Sequence, residues 1–132
     1  MTLRLATELR EELVAAARDA RPREACGLLV GGPSEGVTVV RRVVRTTNAA
    51  QAVDAFEIDP VEFLGVDAEA RRHGLEVVGV WHSHPAGPAL PSRRDRAAAW
   101  PEHVQAIVEP DSGHIRAWRL VDGAFVEDDV VR

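Results

Sequence analysis

The chain has no lysine: all 16 of its basic residues are arginine. It has one cysteine, Cys26, which excludes an intramolecular disulfide and any zinc site built from several cysteines. It has no long apolar run. The hydrophobic stretches are short and broken by Arg or Glu, so no transmembrane helix is expected and the reading is no membrane partner. It lacks positive charge overall. A formal charge of -5 argues against a nucleic-acid partner, which calls for a basic face. Its first residues, Met-Thr-Leu-Arg-Leu, carry no basic-then-apolar leader, so the expected location is cytoplasmic. Repeats, linkers and low-complexity segments are also missing. At 132 residues, with 45% hydrophobic and 28% charged residues, residues 1–132 are expected to form a single soluble domain.

What is present reads in order. Leu9, Leu13, Ala16 or Ala17, and Ala20 form an apolar stripe at helical spacing, so a helix is predicted from Thr7, taken as its N-cap, to Ala20, with Pro22 beyond. Glu24 to Gly32 is an apolar run bounded by glycine, a buried strand, and Val37 to Arg45 its half-exposed partner. Thr46 to Ala55 is a polar loop and Phe56 to Ile58 a short strand. Asp59-Pro60-Val61-Glu62 is a helix start, and Gly74 its stop. Leu75 to His82 is a strand, Ser92 to about Trp100 a short helix, and Val104 to Val108 a further strand. His114 to Val121 and Ala124 to Val126 form a hairpin across Asp122-Gly123. The residues from Glu127 to Arg132 read as a frayed acidic edge. This α-β-β-β-α-β-α-β-β-β order predicts an α/β (α+β) fold, a mixed sheet with helices packed on it.

Chemistry concentrates in fourteen positions, His82 to Asp95. Alternate residues of a strand share a face, so His82 and His84 point the same way and Trp81 and Ser83 the other. Ser92 and Asp95 share a face at a helix start. If the proline-rich loop between them folds back, Asp95 joins the two imidazoles. Two nitrogens and one carboxylate with a fourth position open is the pattern of catalytic zinc, and iron(II) or manganese share the ligand type. Each half also has an ordinary explanation. A His-x-His pair is more often a pair of core or surface histidines, and Ser92-Arg-Arg-Asp95 is most simply a capping box. Glu24 taken alone is one carboxylate among many.

The spacing His82-Ser-His84, seven residues, Ser92, two residues, Asp95 resembles the JAMM motif of the MPN+ zinc metallopeptidases residue for residue. Glu24-Ala-Cys-Gly-Leu-Leu-Val-Gly31 is similar to that family's upstream glutamate segment. Phe56-Glu-Ile-Asp-Pro60 and Val78-Gly-Val-Trp-His82 resemble its small prokaryotic members. The resemblance implies a cytidine-deaminase-like mixed sheet flanked by helices. It also implies one zinc ion held by His82, His84 and Asp95, with Glu24 activating the metal's water and passing the proton to the leaving amine. Ser92 would hydrogen-bond the oxyanion. The implied reaction is hydrolysis after the C-terminal Gly-Gly of a ubiquitin-like or sulfur-carrier protein.

The segments around Ala49 to Ala55 and Arg96 to Pro101 are short, where chain-cleaving relatives hold ubiquitins on insertions. Specificity for one polyubiquitin linkage is therefore not expected. Arg93, Arg94 and Arg96 could attract an acidic modifier.

Three other readings stand beside this one. The chain could release an amino acid such as cysteine from a sulfur carrier, or serve as a non-catalytic scaffold, against which the intact residue set argues. A DNA-repair role is disfavoured by Ser83 and the acidic balance. The absence of lysine reflects either arginine-rich coding, the favoured explanation, or protection from lysine-linked modifiers. Cys26 is either a small core residue, as favoured, or a thiol near the metal. Asn48 either borders a substrate groove or is an ordinary loop residue. His73, His103 and His114 have no partner spacing and no assigned role. The oligomeric state is left open.

Overall fold

Strand β4 (Glu76–Ser83) lies between two others over most of its length, antiparallel to β2 (Cys26–Ser34) and parallel to β5 (Val104–Val108). Both faces are covered, which is why its sequence is apolar almost without alternation. The computed structural model describes residues 1–132. It adds β1 (Thr2–Arg4), β3 (Val37–Thr46), β6 (Ile115–Val121) and β7 (Ala124–Val131) to a mixed sheet in the order β1-β3-β2-β4-β5-β6-β7. β7 returns to pair with β1, Leu3 opposite Val130, and the sheet closes into a barrel.

Helix α1 (Thr7–Ala20) sets Leu13, Ala16 and Ala17 into the larger core, with Leu29, Trp81, Val104, Ala106 and Val108. Leu28 and Val30 alternate with Leu29 and so face the other way. There they meet Ala70 of α2 (Pro60–Arg72) and Val77 in a smaller core. A register shift between Leu29 and Val30, opposite Gly79 and Val77, reassigns the faces along β4. Beyond it Trp81 belongs to the larger core, while Val80 packs on the smaller one. The indole crosses Gly27 to donate to the Val44 carbonyl at 3.1 Å. A Cβ on Gly27 would stand 1.9 Å from that oxygen and 2.5 Å from the indole nitrogen, so the crossing requires glycine.

The mixed sheet with packed helices is the architecture expected, and α1 has the expected span. Four local expectations change. β1 was not foreseen, because three residues are too few to show a period. Thr7 is the first helical residue rather than the cap, and Ala6 stands at the cap position without a side-chain bond. Phe56 to Ile58 is irregular, not a strand. Glu127 to Val131 is not frayed but part of β7. Asp128 is buried there, accepting from Arg119 Nε at 2.7 Å while Arg119 Nη2 donates to Thr38 Oγ1 at 2.9 Å. At the start of α2, Asp59 caps Val61 N as expected. Glu62 accepts from the Thr47 amide at 3.2 Å. No helix is long and apolar enough to cross a membrane.

Candidate metal centre

His82 stands near the end of β4 and is fully buried. Phe56 stacks on its ring, centroids 4.4 Å apart and planes 16° from parallel. Between the histidines, Ser83 does two things. Its amide donates to the Ala25 carbonyl at 3.0 Å, and its hydroxyl accepts from the Ala25 amide at 2.8 Å. Ser83 thereby clamps the residue after Glu24 to the strand that carries both imidazoles. His84 lies just past the strand, its amide bonded to the Val108 carbonyl at 2.9 Å.

The chain then loops away and returns. Ala89 is fully buried and held from two sides: its amide donates to Glu109 Oε2 at 2.8 Å, and its carbonyl accepts from Trp118 Nε1 at 3.1 Å. This anchor delivers α3 (Arg93–Ala98), which opens with a reciprocal capping box. Asp95 N donates to Ser92 Oγ at 3.1 Å, and Ser92 N donates to Asp95 Oδ2 at 2.8 Å.

These elements bring the expected residues together. His82 Nε2 is 3.1 Å from His84 Nε2 and 3.1 Å from Asp95 Oδ1, and His84 Nε2 is 3.3 Å from Asp95 Oδ2. Donors bound to one tetrahedral zinc at the usual bond lengths lie about 3.3 Å apart, so the cluster has the right dimensions. The chemistry of the donors fits as well. His84 Nδ1 lies 2.8 Å from the Pro88 carbonyl, which can only accept. In the neutral ring the proton therefore sits on Nδ1, which leaves Nε2 free to ligate an ion, whereas in the protonated ring Nε2 donates to Asp95. His82 Nδ1, on the far side of its ring, has no partner.

Two carboxylates approach the imidazoles. Glu24 offers an oxygen within 4.8 Å of both, a group that could itself hold a metal ion. Asp95 is the tighter of the two, and it touches both rings. The fields differ correspondingly. Burial would raise the Asp95 pKa, but hydrogen bonds to His82 and His84 outweigh it and hold the carboxyl far below the usual range. Burial pushes Glu24 up to about 7, only partly opposed by His84 and reinforced by Asp95 and Asp54. Burial lowers the His82 pKa, whereas for His84 the carboxylate and the Pro88 carbonyl prevail over burial and raise it. One carboxylate stays ionised and the other is poised to exchange a proton near neutrality.

Asn48 is the hub of the loop beside Glu24. Its Nδ2 donates to the Glu24 carbonyl at 3.0 Å and the Ala55 carbonyl at 2.9 Å, and its Oδ1 accepts from Ala50 and Glu57. These four hydrogen bonds tie the loop to the Glu24 segment. Cys26 is buried, with Sγ 3.6 Å from Thr46 Oγ1, and burial raises its pKa, so it behaves as the small core residue favoured above. His103 stacks on Trp100 at the wall of an apolar groove of about 570 Å³ that also takes in Phe56 and Val80. A polar cavity of about 510 Å³ lies on the Glu24 side, walled by Cys26, Thr46, Asn48 and Glu62. Glu109 and Trp118 carried no functional signal in the sequence, and the contacts of Ser83, Asn48 and Phe56 were not legible there, since each reaches a segment remote along the chain.

The model of the prokaryotic homologs of the JAB domain matches residues 6–121. A desampylase of Haloferax volcanii is 35% identical over 130 residues, covering 95% of this chain and 92% of the relative. A CysO-cysteine peptidase of Mycobacterium tuberculosis is also 35% identical, over 93% of this chain and 86% of that protein. The solution structure of a protein from Desulfitobacterium hafniense superposes with a TM-score of 0.87 at 31% identity, over 99% of this chain and 92% of that one. The motif, the geometry and these matches agree, and the chain belongs to the family of prokaryotic homologs of the JAB domain.

Proposed function

We propose that this protein is a zinc-dependent peptidase that hydrolyses the bond after the C-terminal Gly-Gly of a ubiquitin-like or sulfur-carrier protein. The convergence of His82, His84 and Asp95 within 3.3 Å, with the Glu24 carboxylate beside them, carries this reading. His82, His84 and Asp95 are the residues that would hold the ion. A bound zinc supplies a Lewis acid and lowers the pKa of water, giving a nucleophile at neutral pH. The chain's own groups do the rest. Ionised Glu24 takes a proton from the attacking water as its oxygen bonds to the carbonyl carbon. Ser92 keeps its hydroxyl proton free, since its oxygen serves the cap as an acceptor, and donates it to the carbonyl oxygen as negative charge grows there. Glu24 then delivers its proton to the leaving nitrogen as the C–N bond breaks. The products are a carboxylate on the modifier and a free amine.

A desampylase and a CysO-cysteine peptidase among the relatives support two versions of the leaving group, a lysine side chain of a conjugate or a single amino acid. The intact donor set and Glu24 speak against a scaffold without catalysis. The one cysteine, buried and unpaired, suits a reducing compartment, and we place the enzyme in the cytoplasm. Metal analysis of purified protein, with cleavage of a Gly-Gly-linked fusion by wild type and Glu24→Gln, tests the assignment. Stoichiometric zinc and loss of cleavage in the variant are expected. No bound metal, or equal rates, would overturn it.

A further inference from the structure

The Glu24 proton must reach the leaving nitrogen, so the leaving group lies against Glu24. Two charged side chains outside the donor set stand there. Arg94, next in sequence to Asp95 and two residues after Ser92, reaches across to Asp54, two residues before the Phe56 that stacks on His82. Their ion pair, Arg94 Nη1 to Asp54 Oδ1 at 3.2 Å, thus joins the two walls of the site. Both fields act on Glu24, Asp54 raising its pKa and Arg94 lowering it. The two side chains are 62% and 82% exposed, and an ion pair so open to water is weak and readily exchanged.

Resting on the hydrolase reading above, we infer that Arg94 is a specificity residue that receives the α-carboxylate of a single-amino-acid leaving group, with Asp54 as its place-holder in the free enzyme. The chemistry of the two leaving groups separates them. An amino acid released through its α-amine carries a carboxylate two bonds from the leaving nitrogen, where a guanidinium beside Glu24 can meet it bidentately. A lysine ε-amine carries no charge within the same reach, so Arg94 would gain nothing by leaving Asp54. The arrangement therefore selects for release of an amino acid over release of a lysine-bearing target.

The test uses the zinc-loaded enzyme and a Gly-Gly-ended sulfur-carrier protein extended by one cysteine, prepared as the free acid and as the carboxamide. Wild type is expected to favour the acid in kcat/KM by about tenfold or more, the worth of one charge-assisted hydrogen bond. Arg94→Ala should bring that ratio close to one, Arg94→Lys should retain part of it, and Asp54→Asn, by freeing Arg94, should raise the rate on the acid. Equal wild-type rates on acid and amide would overturn the inference while leaving the hydrolase standing. So would an Arg94→Ala variant that loses the same factor on both. A lysine-linked Gly-Gly conjugate serves as control: its cleavage without cleavage of either cysteine substrate would overturn the inference and leave the hydrolase standing, and cleavage of none of the three by zinc-loaded wild type would remove both. Thermal melting of the variants, expected to be unchanged at these exposed positions, separates recognition from misfolding.

Discussion

The two halves of the site are held by different means. His82 and Ser83 sit on a strand bonded to neighbours on both sides, and Ser83 ties the Glu24 segment to that strand through both its backbone and its hydroxyl. Asp95 and Ser92 sit on a six-residue helix at the end of a loop whose placement rests on side chains gripping Ala89. Position in the first half follows from sheet register, which is cooperative with the whole barrel. In the second it follows from a few individual hydrogen bonds, each worth about 1 kcal/mol. Damage to the first half should appear as lost stability, and damage to the second as lost metal or rate in a protein that stays folded.

The largest effect probes chemistry alone. Glu24→Gln should lower kcat by about 10²–10⁴ with zinc retained, because the general base is lost while the donor set is kept. Steady-state rates with metal content check it. Ser92→Ala should lower kcat by about 10²–10³ for the missing oxyanion donor and cost about 1 kcal/mol for the missing cap. Ser92→Asp separates the roles, since aspartate caps but, ionised, cannot donate. A variant that is stable yet slow is expected, and full activity in it would leave Ser92 only structural.

Ser83→Ala sharpens the contrast from the sheet side. It leaves the buried Ala25 amide without its side-chain partner, and denaturant titration should show a loss of about 1–3 kcal/mol. Acidity adds a smaller effect near neutrality. Glu24 must be ionised to accept a proton, and its carboxyl is raised to about 7, so kcat/KM should fall as pH drops through that value and level off above it. A bound zinc ion would move this limb to lower pH, and the limb should vanish from the residual activity of Glu24→Gln; a limb unchanged in that variant would remove Glu24 as its source. The smallest effect is expected at the loop anchor. Glu109→Gln weakens the grip on Ala89 and should reduce zinc affinity by about tenfold or less with little change in melting temperature. If it unfolds the protein, the two halves are not independent.

Much of the site was legible because local spacing determines local geometry. Period two placed His82 and His84 on one face, and a cap signature placed Ser92 and Asp95 on one turn. The capping-box and metal readings of Ser92 and Asp95 also prove compatible, since the box uses the serine oxygen as acceptor and one carboxylate oxygen. Glu24 was legible only through likeness to a family, because nothing in its neighbourhood distinguishes it from other carboxylates. Ser83 was read merely as facing away from the metal. Its actual role depends on Ala25, 58 residues distant, and no period reports such a pair. Phe56 was read as a strand residue, whereas its ring stacks on His82 from an irregular segment.

The sequence by itself determined the longer elements from α1 to the β6–β7 hairpin, the two helices that cover the sheet, the pair of imidazoles and the capped carboxylate, each set by residues close along the chain. The tertiary structure alone decided the closure of the barrel, the anchoring of Ala89 and the approach of Glu24 to the two imidazoles. It alone set the pairing of Asp54 with Arg94. Each of these depends on which distant segments exclude water together. Burial of that kind raises the carboxyl of an ordinary glutamate to about 7, while hydrogen bonds to two histidines keep Asp95 ionised against the same burial.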